Sequence, residues 1–145
     1  MVKIEQYILS VKNNMPCVLV VRKRQRDTFL YAITSVVQTL KENFQSSRFG
    51  CIYTGRFYDA DKQFELNACR CIDRLRLGQI EPTFAFFDLP NSEVTFSFLP
   101  QGFLNWISKV ETAKLIPVIA CSAECCLTQL LDAYHIPYME VMSLA

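Results

Sequence analysis

Apolar residues recur along the chain with two different spacings, which predict helices that alternate with strands. Ile4, Ile8 and Val11 are three or four residues apart and predict a helix over residues 2–13. The run Cys-Val-Leu-Val-Val at 17–21 is apolar at every position and is typical of a buried strand. Helical spacing then returns in a stripe formed by Phe29, Ile33, Val36, Val37, Leu40 and Phe44. The chain is therefore predicted to begin with a helix, a strand and a second helix.

The middle of the chain continues this alternation. Residues 47–55 and 83–89 read as strands, and apolar positions at helical spacing within 64–75 predict a third helix between them. Residues 93–99 alternate with period two after a Pro-Asn-Ser turn, so they predict a strand that returns antiparallel. A fourth helix is marked by Phe103, Leu104, Ile107 and Val110.

The final residues form a strand–helix–strand unit in the sequence pattern. Residues 116–121 and 136–144 read as strands, and residues 122–134 read as the helix between them. Two parallel strands joined in this way are expected to make a right-handed crossover. The alternation of helices and strands along the whole chain predicts an α/β fold.

Composition narrows the class of protein. The chain has 145 residues, of which 51% are hydrophobic, and this is enough for one globular domain with its own core. The formal net charge is +1, so no global field draws the protein to nucleic acid or to an anionic membrane. No apolar run approaches the roughly 20 residues that a membrane-spanning helix needs. A protein that does not cross a membrane is therefore expected.

The cysteines indicate the compartment. There are seven, an odd number, and those at 17 and 51 lie within apolar runs where cysteine usually packs as a small buried side chain. A disulfide framework is normally built from an even number of cysteines. We therefore predict a reduced, cytoplasmic protein.

A short motif before the strand at 83–89 suggests a family. The stretch Leu-Gly-Gln-Ile-Glu-Pro-Thr at 77–83 resembles the Tyr-Gly-Ile-x-x-Ile-Pro-Thr stretch of thioredoxin-like proteins, and the order of elements over 1–114 resembles theirs. The resemblance implies a mixed sheet flanked by helices, with residues 115–145 as a strand–helix–strand extension of the same single domain, 1–145. It also implies that Pro82 follows a cis peptide bond, which costs little before proline.

The sequence departs from that family where its chemistry lies. Thioredoxin-like enzymes carry Trp-Cys-x-x-Cys between the central strand and the next helix, whereas here residues 20–28 contain no cysteine. Dithiol exchange needs a thiolate at that junction. We therefore predict a redox-inactive domain that serves as a protein-interaction or scaffold module, with a protein partner, no cofactor and no enzymatic activity.

A basic stretch replaces the missing cysteines. The predicted binding surface consists of Arg22, Lys23, Arg24, Arg26, Glu81 and Pro82. If the resemblance holds, Glu81 lies beside the basic turn and can pair with Arg24 or Arg26. Cations before a helix N-terminus suit a phosphate or carboxylate, so anion or nucleic-acid binding is an alternative function. The competing interpretation is a solvated turn that only aids solubility.

The C-terminal cysteines support another alternative, a thiol oxidoreductase or sulfur carrier. Residues 116–138 are similar to the first strand–helix–strand of a glutaredoxin, although the cysteine spacing is one residue wider. Cys121 is expected where a strand meets a helix N-terminus, which stabilises a thiolate, with Cys125 or Cys126 as resolving thiol. The competing interpretation is that all three are packing residues. No cysteine or histidine spacing predicts a metal site.

Overall fold

The computed structural model describes residues 1–24, 29–54, 82–92, 94–107 and 115–143. Helices and strands alternate within these ranges, so the predicted α/β class is confirmed. The helices are α1 (Ile4–Lys12), α2 (Phe29–Asn43), α3 (Gln101–Ile107) and α4 (Leu127–Ala133). The strands are β1 (Val18–Lys23), β2 (Arg48–Thr54), β3 (Thr83–Asp88), β4 (Leu115–Ser122) and β5 (Tyr138–Met142). The helix predicted within 64–75 lies outside the described residues.

The five strands form one sheet in the order β2-β3-β4-β1-β5. Every neighbouring pair of these strands is parallel. The mixed sheet expected from the thioredoxin resemblance is therefore wrong for the strands that the structure describes. The peptide bond before Pro82 involves Glu81 and lies outside the described residues, so the cis bond stays a prediction.

The antiparallel strand predicted at 93–99 is absent from residues 94–99, which have no regular structure. The physical reason is that β3 is paired on both sides, with β2 and with β4, so it offers no free edge to a returning strand. The segment instead contacts the chain just before α4. The backbone N–H of Cys126 donates to the carbonyl oxygen of Val94 at 2.8 Å, and the N–H of Phe96 donates to Cys126 Sγ at 3.3 Å.

The strand–helix–strand extension predicted for residues 115–145 instead supplies strands of the main sheet. Its first strand, β4, lies between β3 and β1 in the middle of the sheet, and its last strand, β5, extends the sheet beyond β1. The helix between them is shorter than predicted, because residue 122 still belongs to β4 and residues 123–126 form a turn. The two parts of the chain therefore build a single sheet.

The two faces of the sheet carry different helices. Phe44, directly after α2, packs on Phe84 of β3 with ring centroids 5.4 Å apart, so the side chains of Phe84, Phe86 and Asp88 share the face that α2 covers. Thr128 of α4 bonds a β1 side chain on the other face. The chain moves from β1 to β2 in one direction and from β4 to β5 in the other, and right-handed crossovers then place α2 and α4 on opposite faces.

The core lies on both sides of this sheet. The helix predicted near the N-terminus is confirmed as α1, which buries Ile4, Tyr7, Ile8 and Val11. The largest fully buried side chains are those of Tyr7, Phe84, Phe87, Phe103, Leu19, Leu40, Leu89 and Ile116. Among the described residues, no helix combines the length and the apolar character needed to cross a membrane.

Candidate functional site

The basic stretch does not begin as a turn, because β1 continues through Arg22 and Lys23. Each of these residues is only 5% exposed. Buried cations need partners, since removing a charge from water is costly. Arg22 and Lys23 point to opposite faces of the sheet and find different partners, which define two clusters at the carboxyl end of the sheet, where all five parallel strands finish.

The arginine cluster lies on the α4 face and consists of Arg22, Cys121, Cys125, Thr128 and Glu140. The Arg22 guanidinium donates from Nε to Glu140 Oε1 at 2.6 Å and from Nη2 to Thr128 Oγ1 at 2.9 Å. Its Nη1 donates to the carbonyl oxygens of Ser122 and Cys125, at 2.8 and 2.9 Å, and to Cys121 Sγ at 3.4 Å. The guanidinium thus joins the ends of β1, β4 and β5 to the start of α4.

The lysine cluster lies on the α2 face and consists of Lys23, Asp88 and Ser122. Lys23 Nζ donates to Asp88 Oδ1 at 2.6 Å and to the carbonyl oxygen of Leu89 at 2.8 Å. β4 runs between the two charged residues, and Asp88 is paired with Ala120. The methyl side chain of Ala120 leaves room for the lysine stem to cross β4. Ser122 is the register partner of Lys23, so its side chain lies on the same face.

Ser122 is the anomaly of the lysine cluster. Its residue is 7% exposed, and among the described residues its Oγ has no hydrogen-bond partner. Leaving a buried hydroxyl unpaired costs about 1–3 kcal/mol, so such groups are rare in folded proteins. The Ser122 hydroxyl is therefore the one polar group of the lysine cluster without a hydrogen-bond partner among the described residues.

Asp88 is the acidic member of the lysine cluster. Burial raises the pKa of its carboxyl above the usual value, and the hydrogen bond and charge of Lys23 oppose this rise. A carboxylate in this setting depends on its cation, because burial disfavours the charged form. Loss of Lys23 would therefore raise the pKa of Asp88 further.

The predicted binding surface is only partly brought together. Arg22 and Lys23 are buried in the clusters above, whereas Arg24 is exposed at the carboxyl end of the sheet. Pro82 lies at the opposite, amino end, because it precedes Thr83, which pairs with Leu115. Arg22 pairs with Cys121, six residues further along β4, and at about 3.3 Å per residue this is a separation of about 20 Å. Arg26 and Glu81 lie outside the described residues.

The thiol candidates are placed less favourably than predicted. Cys121 is fully buried inside β4, and α4 begins only at Leu127, so the N-terminus of α4 does not follow Cys121 directly. A hydrogen bond with Cys125 and burial raise the pKa of the Cys121 thiol, and the charges of Arg22 and Lys23 only oppose this rise. Cys125 is buried and Cys126 is half-buried. The expectation of a helix-stabilised thiolate at Cys121 is therefore wrong.

Cys17 is also unsuited to nucleophilic chemistry. It is buried at the start of β1, and burial raises the pKa of its thiol to about 11. Among the described residues, no group of three or more histidine, cysteine and acidic side chains is arranged to hold a metal ion. Neither observation bears on the cysteines at 51, 69 and 71, whose side chains lie outside the described parts of the chain.

Sequence reasoning missed the residues that complete the two clusters, which are Asp88, Ser122, Thr128 and Glu140. A signal for two of them exists. Asp88 and Ser122 each end an apolar strand, and the carboxyl ends of parallel strands meet at one end of a sheet. The expected mixed sheet treats residues 115–145 as an extension, so it does not predict that the strand of Asp88 and the strand of Ser122 are parallel neighbours.

Comparison with family models, with curated proteins and with solved structures finds no match for this chain. The thioredoxin resemblance accordingly stays a prediction, and the function must be inferred from the two clusters.

Proposed function

We propose that this protein is an anion-binding module whose ligand is a phosphate-bearing small molecule held at the lysine cluster. One observation carries the proposal. The buried hydroxyl of Ser122 lies beside Lys23, and this hydroxyl lacks a hydrogen-bond partner among the described residues. The proposal keeps the anion-binding alternative drawn from the basic stretch, but it moves the ligand from an exposed turn to the carboxyl ends of β1 and β4.

The position of the cluster in the topology supports a ligand site. β1 and β4 are neighbouring strands, yet the chain leaves β1 for the face that carries α2 and leaves β4 for the face that carries α4. In open α/β sheets, this divergence opens a crevice at the carboxyl ends of the two strands, and ligands bind there. Lys23 and Ser122 are the last residues of these two strands.

A helix N-terminus lies on the same face. α2 is 15 residues long and begins at Phe29, shortly after β1 ends at Lys23. The first turn of a helix has backbone N–H groups without intrahelical partners, and the helix dipole places partial positive charge there. Both features favour phosphate groups at this point in strand–loop–helix units.

The side chains offer the matching donors. A lysine ammonium has three N–H donors, and the bonds of Lys23 to Asp88 and to the Leu89 carbonyl use two of them. The Ser122 hydroxyl supplies another donor, and exposed Arg24 adds positive charge at the entrance. Because Lys23 and Ser122 are buried, we expect the ligand to reach them only after a local rearrangement.

The sequence after β1 limits the proposal to binding. Phosphate-cradling loops of nucleotide-binding proteins carry glycines that let the backbone wrap the phosphates. Residues 24–28 contain none. We therefore propose recognition through side chains and the helix terminus, without phosphoryl transfer.

Binding is tested by calorimetric titration with pyrophosphate and with ATP. We expect Ser122→Ala to weaken binding about tenfold, which corresponds to about 1.4 kcal/mol, within the range for the net contribution of one hydrogen bond. Arg24→Gln should weaken binding and reduce its dependence on salt, since a charge at the entrance is screened by added ions.

The matched control is Lys12→Gln, which removes an exposed cation at the C-terminus of α1 and should leave both titrations unchanged. A Ser122→Ala variant that binds both probes as tightly as the natural protein would contradict the proposal. The same applies if neither probe binds the natural protein at low salt.

We also propose that the domain does not catalyse thiol–disulfide exchange, in keeping with the missing Cys-x-x-Cys at residues 20–28. The raised pKa of Cys121 and the burial of Cys125 support this. We expect no reduction of insulin in the presence of dithiothreitol above the rate without protein, with an active thioredoxin as positive control. Rapid turnover that disappears in a Cys121→Ser variant would contradict it. The role as a protein-interaction module stays a prediction beside the anion site.

A further inference from the structure

Two cysteines of the arginine cluster bond the same guanidinium nitrogen of Arg22, one through its sulfur and one through its carbonyl oxygen. Cys121 is near the end of β4, and the N–H of Cys125 donates to the carbonyl oxygen of Ser122 at 3.3 Å, which closes a turn. This turn folds Cys125 back beside the strand, and the Cys125 thiol contributes to the raised pKa of Cys121. The two cysteines are therefore neighbours around one guanidinium nitrogen, although four residues separate them along the chain.

Arg22 fixes both cysteines in this arrangement. Its Nη1 donates to Cys121 Sγ at 3.4 Å and to the carbonyl oxygen of Cys125 at 2.9 Å. Cys121 has no exposed surface and Cys125 retains 4%. A buried guanidinium that holds one sulfur and the neighbouring backbone leaves the pair little freedom to separate.

We propose that Cys121 and Cys125 form a reversible disulfide that links the end of β4 to the segment before α4. Disulfides in reducing compartments are usually of this transient, redox-sensing kind. The proposal does not depend on the anion site, because the thiols lie on the α4 face and the lysine cluster lies on the α2 face. It is also distinct from catalysis, since it requires one crosslink and no turnover.

The oxidant that we propose is hydrogen peroxide, because it is small and neutral and both sulfurs are nearly covered. The Cys125 thiol gives up its proton and its sulfur attacks one peroxide oxygen, the O–O bond breaks, and the departing hydroxide takes that proton to become water. The Cys121 sulfur then attacks the sulfenic sulfur of Cys125, and the hydroxyl leaves as water with the proton of the Cys121 thiol. Two thiols lose two electrons in total, and one peroxide becomes two waters.

Peptide mapping of the folded, full-length chain tests the crosslink. The chain is treated with hydrogen peroxide, denatured, alkylated with iodoacetamide and cut after glutamate, which separates Cys121 from Cys125 because Glu124 lies between them. We expect the two peptides to stay joined until dithiothreitol is added, with both cysteines protected from alkylation. The crosslink should persist in Cys126→Ser, which leaves the pair intact.

Two results would overturn the proposal. One is alkylation of both Cys121 and Cys125, or their conversion to sulfinic acid, at peroxide concentrations that consume other thiols of the chain. The other is loss of the crosslink in Cys126→Ser, which would assign the bond to Cys126. Circular dichroism of each variant shows that the comparison is made on folded protein.

Discussion

Replacing Arg22 with methionine should lower the free energy of unfolding by about 3–5 kcal/mol, which is a large part of the 5–15 kcal/mol that stabilises a typical domain. The guanidinium is buried and bonds Glu140, Thr128 and the carbonyl oxygens of Ser122 and Cys125. Methionine fills similar volume but donates no hydrogen bond. The Glu140 carboxylate, with 24% of its side chain exposed, would then lack its cation, and the carbonyl groups of Ser122 and Cys125 would lose the hydrogen bonds of the guanidinium.

Urea unfolding followed by circular dichroism measures this loss, provided that the transition is two-state. Arg24→Met is the matched control, because Arg24 is the next arginine along the chain but is exposed, and substitutions at exposed positions usually change the free energy by no more than about 0.5 kcal/mol. Adding Glu140→Leu to Arg22→Met should recover part of the loss, since the unpaired carboxylate is removed. A loss below about 1 kcal/mol for Arg22→Met would contradict the role assigned to the arginine cluster.

The carboxyl end of β1 shows why the sequence predicts the helices and strands better than it predicts the two charged clusters. α1 and the start of β1 follow from local periodicity, which is contained in a few neighbouring residues. The charges of Arg22 and Lys23 predict a turn. Both residues belong to the strand because their partners, Glu140 and Asp88, lie 118 and 65 residues further along the chain, beyond the reach of any local pattern.

The position of β4 could not be predicted for a related reason. The run Ile-Pro-Val-Ile-Ala-Cys at 116–121 is apolar on both faces, which is typical of a strand in the middle of a parallel sheet. The resemblance of residues 77–83 to a thioredoxin motif instead suggested that the sheet was complete before residue 115. The period-two alternation of apolar and polar residues at 93–99 also predicts a strand that the structure lacks at 94–99. Periodicity indicates which residues can form a strand, but it does not indicate whether the edge of a sheet is free to pair with that strand.

Replacing Lys23 with methionine should produce a loss of similar size, about 3–5 kcal/mol at pH 7, but one that depends on pH. Lys23 is the cation for Asp88, whose carboxylate would remain largely buried, with 14% of its side chain exposed. Burial already raises the pKa of Asp88 and Lys23 opposes the rise, so the pKa should climb further in the variant. Denaturant unfolding at pH 7, 6 and 5 measures the effect.

The sign follows from proton linkage. When the pKa of an acid is higher in the folded state than in the unfolded state, the folded state binds the proton more tightly. The stability from that group is then fully present below the unfolded pKa and is lost as the pH rises through the folded pKa. The deficit of Lys23→Met relative to the natural protein should therefore shrink as the pH falls from 7 to 5 and Asp88 becomes neutral.

The double variant Lys23→Met, Asp88→Asn separates the lost ion pair from lost packing. The amide carries no charge, so the double variant should be more stable than Lys23→Met at pH 7, and the difference between them should fade at lower pH. A deficit that is constant from pH 7 to 5 would mean that Asp88 does not change its charge in this range. A double variant no more stable than Lys23→Met at pH 7 would mean that the lysine stem across Ala120, rather than its charge, stabilises the carboxyl end of the sheet.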